Sequence, residues 1–266
     1  WEWQSKESRW TEVFLGDDAG RANRTFMIPQ SFIGPVYDSQ RERIIAAAPN
    51  TPPPGIGGGG FNLFAQAPPL LIGNRAGAWT RKKSGTAPLG TVALFSTPAG
   101  NVLAVTKGAV FRLTEKSKGQ TVQEEFVRIG PDQPLSLDPT AAVAMNADTG
   151  TIVAFNRGTV VLLEPDADGK YVRRQEKEIV PAKESKSAVA AVAGSTLVVV
   201  LSDGRVLVVD TTDLSVKHEY RPVGDHSPRF AVASPGGHWV SVLFHNRQLW
   251  MFDVRQSRPA ALSIAG

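Results

Sequence analysis

The chain has 266 residues, 42% of them hydrophobic, with 25 glycines, 19 prolines and no cysteine. That apolar share supports a sizeable core, and the missing cysteine excludes disulfides, thiolate zinc sites and cysteine nucleophiles. The net charge of +4 and pI of about 9.4 come from scattered Lys and Arg, not from the concentrated, aromatic-interleaved charge of nucleic-acid binders.

The chain opens on Trp1-Glu2-Trp3-Gln4, with no initiator methionine, and no stretch approaches the ~20 apolar residues of a membrane helix. Trp1 and Trp3 read either as part of a linker or a core, or, because tryptophan favours the headgroup region, as the edge of a membrane segment of a longer protein. Residues 1–33 read as a lead-in that could supply a ring-closing strand. A first unit then spans 34–83: one strand at 34–38, a second at 43–48, a Pro/Gly-rich loop at 49–60, and a third strand resuming at 61–64. The loop cannot pack as a strand and belongs on a rim.

Four further units follow near 89–130, 135–180, 187–223 and 228–264. Each shows an apolar strand, a small turn, a second apolar strand, a polar hairpin and a third apolar strand. The paired strands lie at 91–95 and 102–105, 142–145 and 152–155, 188–192 and 197–201, 230–233 and 239–244. Their hairpins are Thr106-Lys107-Gly108, Asn156-Arg157-Gly158, Ser202-Asp203-Gly204 and Phe244-His245-Asn246. A spacing of roughly 40–50 residues with four strands per unit is the signature of propeller blades. The strands are near-continuous apolar runs, as expected of sheets covered on both faces. The helices that a parallel α/β fold would need between them are missing from the pattern. The expected fold is an all-β propeller of about five recognisable four-stranded blades, an incomplete part of a larger ring.

The last unit, Ser234-Pro235-Gly236-Gly237-His238-Trp239 followed by Gln248-Leu249-Trp250-Met251-Phe252-Asp253, resembles a WD-repeat blade. Such blades read Ser-Pro-Asp-Gly, a second strand, a hairpin, and an apolar third strand ending in Trp-Asp. The segment Val206-Leu207-Val208-Val209-Asp210 is similar to that third strand, 160–164 keeps only the acidic Glu164, and 111–114 loses it. The resemblance covers roughly 34–262 and is specific in the last two units. It implies a rigid, non-catalytic platform for partners. Rings of that family commonly hold more than five blades, so either further blades follow Gly266 or residues 8–33 supply part of another.

Catalytic patterns are thin. His218, His226, His238 and His245 lack metal-type spacing, and Glu164-Pro165-Asp166-Ala167-Asp168-Gly169 resembles a calcium loop only at its start, with Gln175 where a bidentate Glu is wanted. No Gly-x-Ser-x-Gly is present, and Gly57-Gly58-Gly59-Gly60 lacks the residues that make a phosphate cradle. Glu42 and Arg43, like Glu124 and Glu125, read as solvated charges. No catalytic residue, cofactor or metal is assigned.

One positional pattern remains. Lys107, Arg157, Arg205 and Arg247 sit in or beside equivalent hairpins, while Arg81, Lys82, Lys83, Lys183, Lys186 and Arg229 are placed in connections between units. Together they would form a basic rim on one face, suited to an acidic protein partner. The expected function is a non-catalytic interaction or sensing domain of a larger protein. Its narrower form is an extracytoplasmic (periplasmic) domain of a membrane protein such as a transporter permease. The alternative is a propeller-fold hydrolase, lyase or lactonase with a metal or carboxylate site in its central channel.

Overall fold

The computed structural model describes residues 2–4, 9–11, 33–47, 67, 69–74, 79–118, 121–185, 188–221, 227–234, 238–245, 248–255 and 262–264. The expected rim loop at 49–60, the strand expected at 61–64, Lys186, His226 and Arg247 lie outside them. The fold is an all-β propeller of five four-stranded blades. A short antiparallel pair, β1 (Glu2–Gln4) and β2 (Arg9–Thr11), comes first; these strands pair with each other and with no strand of the five blades.

Blade 1 is β3 (Ile33–Asp38), β4 (Arg43–Ala47), β5 (Pro69–Asn74) and β6 (Trp79–Thr86). Blade 2 is β7 (Thr91–Ser96), β8 (Val102–Thr106), β9 (Val110–Lys118) and β10 (Thr121–Gly130). Blade 3 is β11 (Ala142–Met145), β12 (Ile152–Asn156), β13 (Thr159–Pro165) and β14 (Tyr171–Glu178). Blade 4 is β15 (Ala188–Ala193), β16 (Thr196–Leu201), β17 (Val206–Asp210) and β18 (Ser215–Tyr220). Blade 5 is β19 (Pro228–Ala233), β20 (Trp239–Phe244), β21 (Leu249–Asp253) and β22 (Leu262–Ile264). Within every blade the strands lie side by side in chain order. The only helical element among the described residues is one 3₁₀ turn, Ala182–Glu184, and no described helix is long and apolar enough to cross a membrane.

Among the described residues the third strand of blade 1 is β5, whose Leu70 and Ile72 pair with Ala47 and Ile45 of β4. One expectation for blade 1 is corrected. Arg81, Lys82 and Lys83 lie within β6, the fourth strand, and not in a connection between blades.

The chain divides into two compact units, and the division runs through blade 2. In the first, Ile45, Ala47 and Leu70 of blade 1 pack with Leu94, Val102, Ala104 and Leu113 of blade 2. The first strands β3 and β7 are neighbours. In the second, β11 neighbours β15 and β15 neighbours β19, and two cores form on opposite faces of blade 4. Leu197, Val199, Leu201, Leu207 and Val209 pack on Ala142, Val153, Phe155, Val160 and Leu162 of blade 3. Val198, Val200 and Val206 pack on Val240, Val242, Phe244 and Phe252 of blade 5. Strand alternation sends successive side chains to opposite faces, so the run Leu197 to Leu201 divides itself between two neighbours. Its valines are stiff at χ1 and suit a strand. Burying each such side chain contributes about 1.5–3 kcal/mol.

The first unit also holds a largely buried ionic network, two of whose members, Arg43 and Glu124, read from sequence as solvated charges. The Asp38 carboxylate is fully buried and accepts from Arg43 Nε (2.9 Å) and Arg41 Nη1 (3.2 Å). Arg43 also pairs with Glu124, whose side chain is 7% exposed, and Arg41 Nε donates to Glu115 (2.8 Å). Alternation explains the placement, because Arg43 shares the face of Ile45 and Ala47 that meets blade 2. Burial works against the charge of Arg41, but hydrogen bonds and charges from Glu115 and Asp38 outweigh it and hold its pKa above the ordinary value.

Two stability predictions follow from this packing. Asp38→Ala leaves two arginines without their shared carboxylate and is expected to cost about 3 kcal/mol or more, read as a lower midpoint in urea denaturation. In the second unit, the buried Tyr171 hydroxyl donates to the Gly150 carbonyl (2.8 Å), and burial pushes its pKa from 10.0 to about 12. The folded-state value is the raised one, so this contribution is complete below pH about 10 and is lost as pH rises toward about 12. Tyr171→Phe should flatten the alkaline fall in stability relative to the parent and, at neutral pH, cost about 1 kcal/mol for the lost hydrogen bond.

Candidate functional site

The hairpins between second and third strands, and the connections between blades, emerge at one end of the second unit, where backbone hydrogen bonds tie them together. Lys107 and Gly108 carbonyls accept from Leu137 and Leu135 of the connection that follows blade 2 (2.8 and 3.1 Å). The Gly158 carbonyl accepts from Ile179 and Val180 of the next connection (2.8 and 3.2 Å). Ser227 donates its Oγ to the Ser202 carbonyl, and its own carbonyl accepts from His245 N (2.9 Å). Asn156 reaches backwards as well: its Oδ1 accepts from Asp138 N and its Nδ2 donates to the Ser136 carbonyl. Gly158 is required at its position. Its φ of +85° lies in the left-handed region, and a Cβ there would run into the Val180 carbonyl oxygen.

Two hairpin arginines repeat one ionic contact. Arg157 makes a two-pronged pair with Asp138 of the preceding connection, its Nη2 lying 3.0 Å from Oδ1. Arg205 reaches Glu184 of its own preceding connection (3.2 Å), Asp203 beside it (2.7 Å) and Glu219 (3.9 Å). They differ in exposure: the Arg157 side chain is 71% exposed and that of Arg205 only 13%. The hydrogen bond from Arg157 to Asp138 raises the arginine's pKa. For Arg205, burial lowers the value, but the Asp203 hydrogen bond and the charges of Asp203, Glu219 and Glu184 outweigh it and hold the pKa above the ordinary value. A cleft of about 450 Å³ opens here, lined by Glu184, Asp203, Arg205 and Arg221. Arg221 in turn donates to Glu219 (2.8 Å). Three carboxylates thus surround two guanidinium groups, so the cleft is not the positive spot expected from Arg205 alone.

The structure places three of the five residues singled out from sequence, Lys107, Arg157 and Arg205, in or beside equivalent hairpins of successive blades, with different consequences for each. Lys107 is exposed in its hairpin and has no ion pair among the described residues. Arg157 is exposed but already bound to Asp138. Arg205 is largely enclosed by acids, and its reading as a free rim cation is corrected, because the connections carry acidic partners that the hairpin positions alone did not reveal. Arg229 lies on β19 and not in a connection; it is exposed, again with no ion pair among the described residues. Lys183 is exposed in the 3₁₀ turn. The segment resembling a calcium loop is the turn from β13 to β14, where Asp166 Oδ1 accepts from the backbone of Asp168 and Lys170.

No family model and no curated protein matches the chain. Among solved structures, apo AztD from Citrobacter koseri aligns with a TM-score of 0.49 at 10% identity, over 85% of this chain and 58% of that one. Kuenenia stuttgartiensis hydrazine synthase aligns with a TM-score of 0.43 at 17% identity, over 69% of this chain and 51% of that one. The chain spans little more than half the length of either. Likenesses this distant say nothing of what the chain binds or does, and the fold stands on its own strand pairing.

If the hairpin end is held by these close backbone approaches, Gly158→Ala should destabilise the protein by about 2 kcal/mol or more. Thermal unfolding monitored by circular dichroism would register the loss. Gly108→Ala, whose added Cβ meets open space, should change stability far less.

Proposed function

We propose that this chain is a non-catalytic β-propeller interaction or sensing domain of a larger protein, which meets a protein partner through the hairpin end of its second unit. The observation that carries the reading is the latching of that end. Hairpins and connections are cross-tied by backbone bonds, so Lys107, Arg157, Lys183 and Arg229 are displayed from a fixed surface. A rigid scaffold that presents charged loops suits recognition, because little ordering entropy is lost on binding.

The WD-type reading of the last two blades draws support from Asp210 and Asp253. Each ends a third strand and caps the next turn, through Thr212 N and Arg255 N respectively. A narrower form of the proposal sets the domain on the extracytoplasmic side of a membrane protein such as a transporter permease. The cysteine-free composition supports it, and a run of about 20 apolar residues beside this domain in the parent protein would test it.

The partner is expected to be acidic where it meets Lys107 and Arg229. In co-purification from the organism of origin, Lys107→Glu combined with Arg229→Glu should reduce partner recovery by about tenfold and flatten its salt dependence. Recovery and salt dependence equal to the parent's would remove the hairpin end from the interface.

A further inference from the structure

Among the described residues of the second unit, blade 4 is covered on both faces and blade 5 on the face toward blade 4. The face of blade 5 toward blade 4 carries Ala231, Ala233, Val240, Val242, Phe244, Trp250 and Phe252. Its other face is set by the register: Phe230 stands opposite Leu243, which stands opposite Leu249, and Val232 opposite Ser241, which stands opposite Met251. These two rows are apolar at every position but Ser241, yet they are not buried. Phe230 is 45% exposed, Val232 is 52% exposed, and the remaining four are intermediate.

The same positions in blade 4 behave differently. Aligned on their hairpins, Leu243 corresponds to Val200, Ser241 to Val198, Leu249 to Val206 and Met251 to Val208. By cross-strand pairing Phe230 corresponds to Val189 and Val232 to Ala191. Val198, Val200 and Val206 are 0% exposed and Val208 is 5% exposed, because this is the face that blade 5 covers. Blade 5 therefore repeats the covered face of blade 4 with side chains that are mostly larger. An apolar patch of this kind marks an interaction surface.

We propose that this far face of blade 5 is a docking face for a further four-stranded apolar sheet, packed on it as blade 5 packs on blade 4. The inference rests on the reading above only in taking the chain as one domain of a larger protein. The occupant is a blade-like sheet because the face continues an interface already formed twice in this unit, with the same strand order and the same division of side chains between faces. Asp253 closes one corner of it, held by Arg255 at 2.7 and 2.9 Å, which leaves the apolar rows as the contact.

The chain has no cysteine, so a single introduced thiol reports on the face. In the intact parent protein, Val232→Cys should react with a maleimide on the order of 100-fold more slowly than the exposed Ala147→Cys, and nearly as slowly as the buried Val242→Cys. Reaction at the rate of Ala147→Cys would overturn the proposal. The covering sheet is identified by replacing Phe230 with the photocrosslinker p-benzoylphenylalanine and mapping the product by mass spectrometry. A crosslink to an alternating apolar strand outside the five blades is the expected result. A crosslink to blade 1, to Phe230's own region in a second copy, or to nothing would overturn it. Because neither readout involves the hairpin end, an uncovered face with normal partner recovery would defeat this inference and leave the proposed function standing.

Discussion

The constraint on which this structure depends is that its second strands are apolar on both faces. A strand such as β16, buried from Leu197 through Leu201, cannot lie at the surface of a two-layer sandwich, because one row of its side chains would face water. Sheets stacked face to face satisfy every row, each blade supplying the cover that the next one needs. The cores on either side of blade 4 are this principle made visible. The far face of blade 5, with Phe230 and Val232 exposed and its other apolar residues half-buried, is the same principle left unsatisfied among the described residues.

Much of this was legible in the residues. Repeated apolar pairs, polar hairpins and near-even spacing gave the blades, because strand burial and turn chemistry are local properties that repetition amplifies. What escaped was non-local. Arg43 and Glu124 look like ordinary surface charges until blades 1 and 2 are paired and place them together with Asp38 in a buried network. At the hairpin end the positions of Arg157 and Arg205 were readable, but their partners Asp138 and Glu184 lie 19 and 21 residues away in connections of no regular pattern.

Those partners change the electrostatic character of the end. Equivalent arginines in equivalent hairpins suggest a cationic ring, whereas the structure shows cations used first to fasten one blade to the chain that leads into it. Among the described residues, positive charge without an ion pair at this end lies at Lys107, Lys183 and Arg229, and the cleft beside Arg205 carries an excess of carboxylates. Recognition at such a surface would favour a partner with charge of both signs, matched position by position.

The two-sided grip of blade 3 bears on how this unit comes apart. Stacked repeats with contacts only between neighbours can lose terminal members in sequence, like beads leaving a string. Asn156 holds the connection behind its blade while Gly158 holds the one ahead, so releasing either segment loosens both interfaces at once. Coupling of that kind converts stepwise fraying into a single concerted transition, and it makes blade 3, the first whole blade of the unit, a point at which the unit's integrity is decided.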